Sequence, residues 1–147
     1  MKTIALRFSD NFAPSAGTIA EHKKCIIETG HVWYGKLGAA VSDKVCKEIM
    51  SNDSPRILLI HSGKPSRYWA YVDKVIKDTP PLHEIPEYYR EQTGSFHTWF
   101  RVLRIEEAEK NVMAACTVVS SGAPLSMTSR SSMSPYFIIE YPASQDE

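Results

Sequence analysis

Along this chain the spacing of apolar residues changes repeatedly, and each change predicts an element. KTIALRF at 2–8 alternates and is rich in β-branched residues, so it reads as a first strand. DNFAPSAG is a turn-rich loop. TIAEHKKCIIETG follows. Thr18 and Glu21 have the spacing of a capping box, Ile19, Ile26 and Ile27 with Cys25 form a partly helical stripe, and Gly30 suits a helix C-terminus. A helix is expected over about 18–29. HVWYGKLGAA then reads as extended. Ser42 can cap a second helix, DKVCKEIMS, with Val45, Cys46, Ile49 and Met50 on one face. PRILLIHSG has the fully apolar run of a central strand, SRYWAYVDKVIKD reads as a strand mixed on both faces, and FHTWFRVLRIEE as a third strong strand. Between the last two, TPPLHEIPEYYREQTG reads as a Pro-rich loop with one helical turn at PEYYRE. VMAACTVV fits a short helix or a strand, the Ser-rich piece at 126–134 reads as loop, PYFIIEY as a final strand and PASQDE as a frayed tail. The expected architecture is a single α+β domain over 1–147. It is a curved mixed β-sheet or small open barrel of five to six strands, flanked by two or three helices.

Composition changes this picture little. A chain of 147 residues suits one domain, and 43% hydrophobic with 23% charged residues is ordinary for a globular protein. No stretch has the length of a membrane span, and the N-terminus does not read as a signal peptide. Three widely spaced cysteines, Cys25, Cys46 and Cys116, read as reduced thiols and a cytoplasmic location. Net charge is zero but uneven. Residues 1–78 hold twelve Lys and Arg against eight Asp and Glu, a balance of +4; residues 79–147 hold five against nine, a balance of −4. A protein that grips nucleic acid through phosphates alone is usually strongly basic, so any nucleic-acid affinity here needs a local basic patch and a specific pocket.

Most enzyme motifs fail on spacing. His83-Glu84 is followed by Glu87, not the histidine of a zinc protease. Gly63-Lys64 is preceded by Leu58 and followed by Pro65, which excludes a phosphate-cradling loop. Neither the zinc-deaminase pattern nor a G-x-S-x-G elbow is present, and no metal site or cofactor is expected. A Cys–His pair assembled by folding is the route left open to nucleophilic chemistry.

Binding chemistry remains. Trp33 and Tyr34, Tyr68, Trp69 and Tyr71, and Phe96, Trp99 and Phe100 concentrate on three expected strands. Neighbours on a strand point to opposite faces, so Trp33 and Tyr34 cannot share one environment. Either all of these rings are core, or some line a concave pocket that stacks a flat ligand. Hydroxyls and cations lie beside them: Lys36, then Ser62, Lys64, Ser66 and Arg67, then the Ser-rich segment with Arg130. Such groups suit phosphate oxygens, but also fit ordinary turns.

The order of these segments, from PRILLIHSG through YWAYVDKVI and FHTWFRVLRIEE to the Ser-rich turn and SPYFIIEY, resembles the PUA-like superfamily, in particular its EVE and YTH-like branches. The resemblance covers most of the chain. It implies a compact curved sheet with a pocket that takes a modified base flipped from DNA or RNA into an aromatic cage. In prokaryotic defence or restriction proteins such a domain would act beside a separately encoded effector. Carried onto this sequence, it makes Trp33, Trp69 and Trp99 the cage, with Tyr34 as substitute. It makes Ser62, Ser120 and Ser121 candidates for base-edge contacts, and Lys36, Lys64, Arg67 and Arg130 candidates for phosphate contacts. Trp33 is expected to face the pocket and Tyr34 to pack, with Lys36 at the rim. Two other classes stay open: a sensor of a nucleotide or small ligand, or a protein-interaction domain, on the same fold; and a small nucleic-acid hydrolase using His31 or His61.

Overall fold

The computed structural model describes residues 1–11 and 13–142, so most of the expected frayed tail lies outside the described residues. Seven strands form one sheet: β1 Lys2–Phe8, β2 Val32–Leu37, β3 Arg56–His61, β4 Arg67–Ile76, β5 Phe96–Glu107, β6 Thr117–Val118 and β7 Tyr136–Glu140. Their spatial order is β2-β5-β4-β3-β1-β7-β6. All pairings are antiparallel except β1 with β3. The helices are α1 Thr18–Thr29, α2 Asp43–Met50, α3 Val112–Ala115 and α4 Leu125–Ser131. The fold is thus α+β with an open mixed sheet, as expected, but with more strands and helices than the sequence pattern suggested. VMAACTVV divides into helix and strand, and the Ser-rich piece at 126–134, expected to be loop, begins as helix α4.

The long elements follow their local signals. Gly30 ends α1 at φ 89°, in the left-handed region open to glycine, and its amide donates to the Ile26 carbonyl at 2.7 Å. Ser42 caps α2 by accepting the Val45 amide, and Ile49 of that helix is fully buried. The capping box at Thr18 does not form. Gly17 precedes the helix, and Asp10 from the preceding loop accepts the Thr18 amide at 2.9 Å instead. Ile27, expected on the apolar stripe of α1, is 85% exposed; Thr18, His22 and Cys25 carry the buried face.

Strand alternation separates the buried residues into three clusters. Ile4, Leu6 and Phe8, Ile57 and Leu59, Ala70 and Val72, Phe100 and Val102, and Val32 and Tyr34 fill the concave face, closed by α1 and α2. Ala5, Leu58, Ile60 and Trp69 point the other way and pack with Val112, Leu125 and Tyr141. Trp33, Phe96 and Trp99 form a third cluster with Ile85 and Tyr89, from the segment between β4 and β5. That segment contains three 3-10 turns, one of them at the expected PEYYRE position. All three cysteines are free, Cys25 and Cys116 are buried, and burial pushes the Cys116 thiol up to about 12.

Candidate nucleic-acid interface

The sheet curls until β2 faces β1 and β7, although β2 pairs only with β5. The Lys36 ammonium of β2 lies 4.7 Å from the centroid of the Tyr136 ring of β7. Beyond Leu6 the β1–β7 ladder is reduced to the Arg7 amide donating to the Pro135 carbonyl at 2.9 Å. The unpaired seam opens into a cavity of about 200 Å³. Arg7 and Phe8 line it from β1 and Ser9 from just beyond it, Tyr34 to Leu37 from β2, Thr18 from α1, and Tyr88, Tyr89, Gln92 and Phe96 from the segment before and into β5. Four consecutive β2 residues reach it because it meets the free edge of that strand as well as one face.

Each ring is held from behind. The centroid of His22 lies 5.1 Å from those of Tyr34 and Tyr89. Tyr89 stacks on Phe96 at 5.0 Å, and Tyr88 meets Tyr89 edge-on at 4.7 Å. Phe8 stacks on His61 at 4.6 Å; His61 pairs with Asp10 at 2.8 Å, and Asp10 holds the start of α1. The Thr18 amide is the main reason the Asp10 carboxyl sits below its ordinary range. Burial raises the phenols of Tyr34, Tyr88 and Tyr89, so all three are neutral donors near pH 7. Glu84 ties the 82–89 segment to β2 by accepting from His31 and from Trp33 Nε1; its carboxyl is lowered chiefly by the His31 bond.

Gly35 makes the Phe96 wall possible. A Cβ there would lie 2.8 Å from Phe96 Cγ and 2.9 Å from Trp99 Cζ3, closer than carbon atoms pack. Gly35→Ala should cost about 1–3 kcal/mol by overpacking, read as a lower urea midpoint at unchanged slope.

The tryptophans expected to form one cage do not converge. Trp33 and Trp99 are buried against the 82–96 segment, and Trp69 lies in a different cluster, with Arg56 over its ring and its Nε1 donating to Glu109. The expectation for β2 is reversed: Tyr34 lines the cavity and Trp33 packs. Strand alternation separates the two residues but does not say which face will be covered. Lys36 is part of the cavity wall, only 5% exposed, rather than its rim. Ser62 and Lys64 are exposed on the β3–β4 turn, where the Ser62 amide donates to the Phe8 carbonyl. Half-buried Arg67 donates to the Lys64 and Ser66 carbonyls, and its pKa is lowered by burial and then by nearby Arg7. Ser120 and Ser121 line a second, larger and more open cleft of about 480 Å³ beside β7 with Thr128, Ser132 and Ser134, and Arg130 is exposed on α4. Sequence reasoning missed Arg7, Phe8, Tyr88 and Tyr89. The signal available for the tyrosines was an aromatic pair inside a Pro-rich loop, where binding residues concentrate.

The sequence profile of the Pua-like family matches residues 4–135, which take in all four helices and every strand but β7 and the first two residues of β1. The chain belongs to the Pua-like family. No curated protein and no solved structure matches it significantly. The Pua-like fold suggests nucleic-acid binding, and domains of this kind are generally binding modules without catalysis. Among the described residues no group of His, Cys, Asp and Glu could hold a metal ion, and no helix is long and apolar enough to cross a membrane. Within this Pua-like chain His31 and His61 are each engaged by a carboxylate, Glu84 and Asp10 respectively.

Proposed function

We propose that this chain is a non-enzymatic module that takes one modified base of a DNA or RNA strand into the seam cavity. One observation carries the reading: a cavity of about 200 Å³ lined by five aromatic residues and by Lys36, with no carboxylate among its described lining residues. A cavity of ~150 Å³ holds a single benzene ring, so the volume suits a base and not a whole nucleotide. Stacking a base on an aromatic side chain is worth about 1–3 kcal/mol, while extruding it costs a few. Stacking alone therefore balances extrusion, and a single-stranded or weakly paired base is favoured. An added methyl group would gain contact with the rings of Tyr34, Tyr89 and Phe96.

Phosphates would pass the cluster of Arg7, Lys64 and Arg67 at the cavity's β1 end. With zero net charge overall, that patch supports a modest salt dependence, and the pocket supplies the discrimination.

The test is fluorescence anisotropy with matched modified and unmodified oligonucleotides, single- and double-stranded, at two salt concentrations. Wild type should prefer a modified strand at least about tenfold. Ala13 lies half-buried on the cavity wall, and Ala13→Trp should plug the cavity. It should bring the ratio close to one while leaving the salt slope and the melting temperature nearly unchanged. A preference that survives the plug, or no dependence on the base at all, overturns the reading. Free nucleosides binding as tightly as oligonucleotides would favour a small-ligand sensor instead.

A further inference from the structure

We infer that the cavity selects its base through an oxygen acceptor directed at Lys36, and that its ligand is a one-ring keto base of the uracil type substituted at position 5, of which 5-methyluracil (thymine) is the simplest case. This rests on the base-binding reading above and narrows it to a chemical class.

Lys36 is 5% exposed and lies on the cavity wall. An ammonium has three N–H donors and no acceptor. Two of them go to backbone carbonyls, Leu37 at 3.1 Å and Ala39 at 2.7 Å. The third has no oxygen acceptor among the described residues; the Tyr136 ring face lies 4.7 Å away. No carboxylate pairs with this ammonium among the described residues, and burial lowers its pKa. A buried charge without a counter-charge is costly, and the cost is offset when a polar group arrives. Arg7 also lines the cavity, but its guanidinium is turned to the opposite side of β1, where it donates to the Ser129, Ser132 and Ser134 carbonyls and lies over the Phe137 ring. Among the described lining residues, the charged group that faces a ligand is therefore the Lys36 ammonium.

At the edge that carries position 4 of a pyrimidine, that field separates the bases. Thymine and uracil present a carbonyl oxygen at position 4, where cytosine presents an amino group; adenine presents an amino group at position 6. A carbonyl accepts from the ammonium, while an amino group brings a second donor against it, and such a mismatch discriminates as strongly as a matched contact. Guanine also carries a carbonyl; a single ring leaves room in the cavity of about 200 Å³ for a position-5 substituent, and the second ring of guanine would take up that room. A substituent at position 5 would meet aromatic walls rather than a polar group.

The experiment uses the full chain and single-stranded oligonucleotides of cytosine with one central test position: thymine, uracil, 5-methylcytosine, N6-methyladenine, guanine or an abasic site. Thymine should bind at least about tenfold more tightly than 5-methylcytosine, which carries the same methyl group, a difference of about 1.4 kcal/mol. Lys36→Met keeps the apolar stem and should bring that ratio to within about twofold with the salt slope retained. The wild-type ranking tests the inference even if Lys36→Met fails to fold, and Lys36→Arg should keep the ranking. If 5-methylcytosine, N6-methyladenine or guanine binds as well as thymine, the keto-pyrimidine inference is overturned; where Ala13→Trp still abolishes the preference, the base-binding reading survives. If the abasic strand binds equally, Lys36 serves a phosphate and both readings fall.

Discussion

Trp99→Ala should cost about 3–5 kcal/mol of folding stability and leave base binding by the folded fraction intact. The side chain is 0% exposed, meets Phe96 edge-on at a centroid distance of 5.1 Å, and sits opposite Gly35 across the β2–β5 pair. Its Nε1 is buried with no partner among the described residues, so no hydrogen bond to them is lost with the ring. What is lost is apolar burial and packing, and Gly35 has no side chain with which to fill the void. Against a total of about 5–15 kcal/mol for a domain of this size, the loss is a large share of stability. Urea unfolding measures the first part. Anisotropy at low temperature, where the variant remains folded, measures the second, and affinity should stay within about twofold of wild type. A variant that keeps full stability but loses the modified-base preference would return Trp99 to the binding site. Tyr34→Ala makes the contrast: its ring is on the cavity wall, so binding should fall further than stability predicts.

This separation of Trp99 from Tyr34 marks the boundary of what the sequence shows. Strong periodicity placed β1, β3, β4, β5, α1 and α2, because those segments carry both their core pattern and their end signals, such as Gly30 and Ser42. Their order was sufficient to suggest the family. The remaining elements depend on partners remote in sequence. SMTSR has no apolar period; its helix is anchored by Leu125 and by Arg7, whose guanidinium binds the Ser129 carbonyl across 122 residues. β6 is two residues long and exists through its pairing with β7.

The site was legible in kind and not in membership. Aromatic rings and cations near strand ends pointed to a pocket, but alternation says only that neighbours part. Which face becomes cavity depends on the curl of the sheet and on the 82–96 segment. That segment is held by Glu84 reaching His31 and Trp33, residues 53 and 51 positions away. Tyr88 and Tyr89 arrive with it, and no local pattern marks them as ligands.

Acidification should destabilise the fold from pH 6.5 downward, with His22 as the source. His22 is fully buried between Tyr34 and Tyr89. Its Nδ1–H donates to the Thr18 carbonyl at 2.8 Å, since a carbonyl can only accept, and Nε2 is buried with no partner among the described residues. Burial lowers its pKa from 6.5 to about 4, the Thr18 bond opposing this weakly. The folded state therefore refuses a proton that the unfolded state takes up. Where the unfolded chain binds more protons, stability rises with pH. The neutral-His22 contribution is complete above pH 6.5 and is lost as pH falls through the window down to about 4. Over that whole window the loss is about 3 kcal/mol, and about 2 kcal/mol of it falls between pH 6.5 and 5, above the range where the carboxylates of Asp10, Glu84 and Glu109 titrate. Urea midpoints measured across this range should fall for wild type. For His22→Phe, which keeps a ring between the two tyrosines, the slope should be flatter by that amount, whatever its stability at pH 7.5. Parallel slopes would show that His22 takes up its proton in the folded state. Because His22 supports Tyr34 and Tyr89 from behind, base binding should fall along the same pH curve as folding, and His22→Phe should carry binding to lower pH.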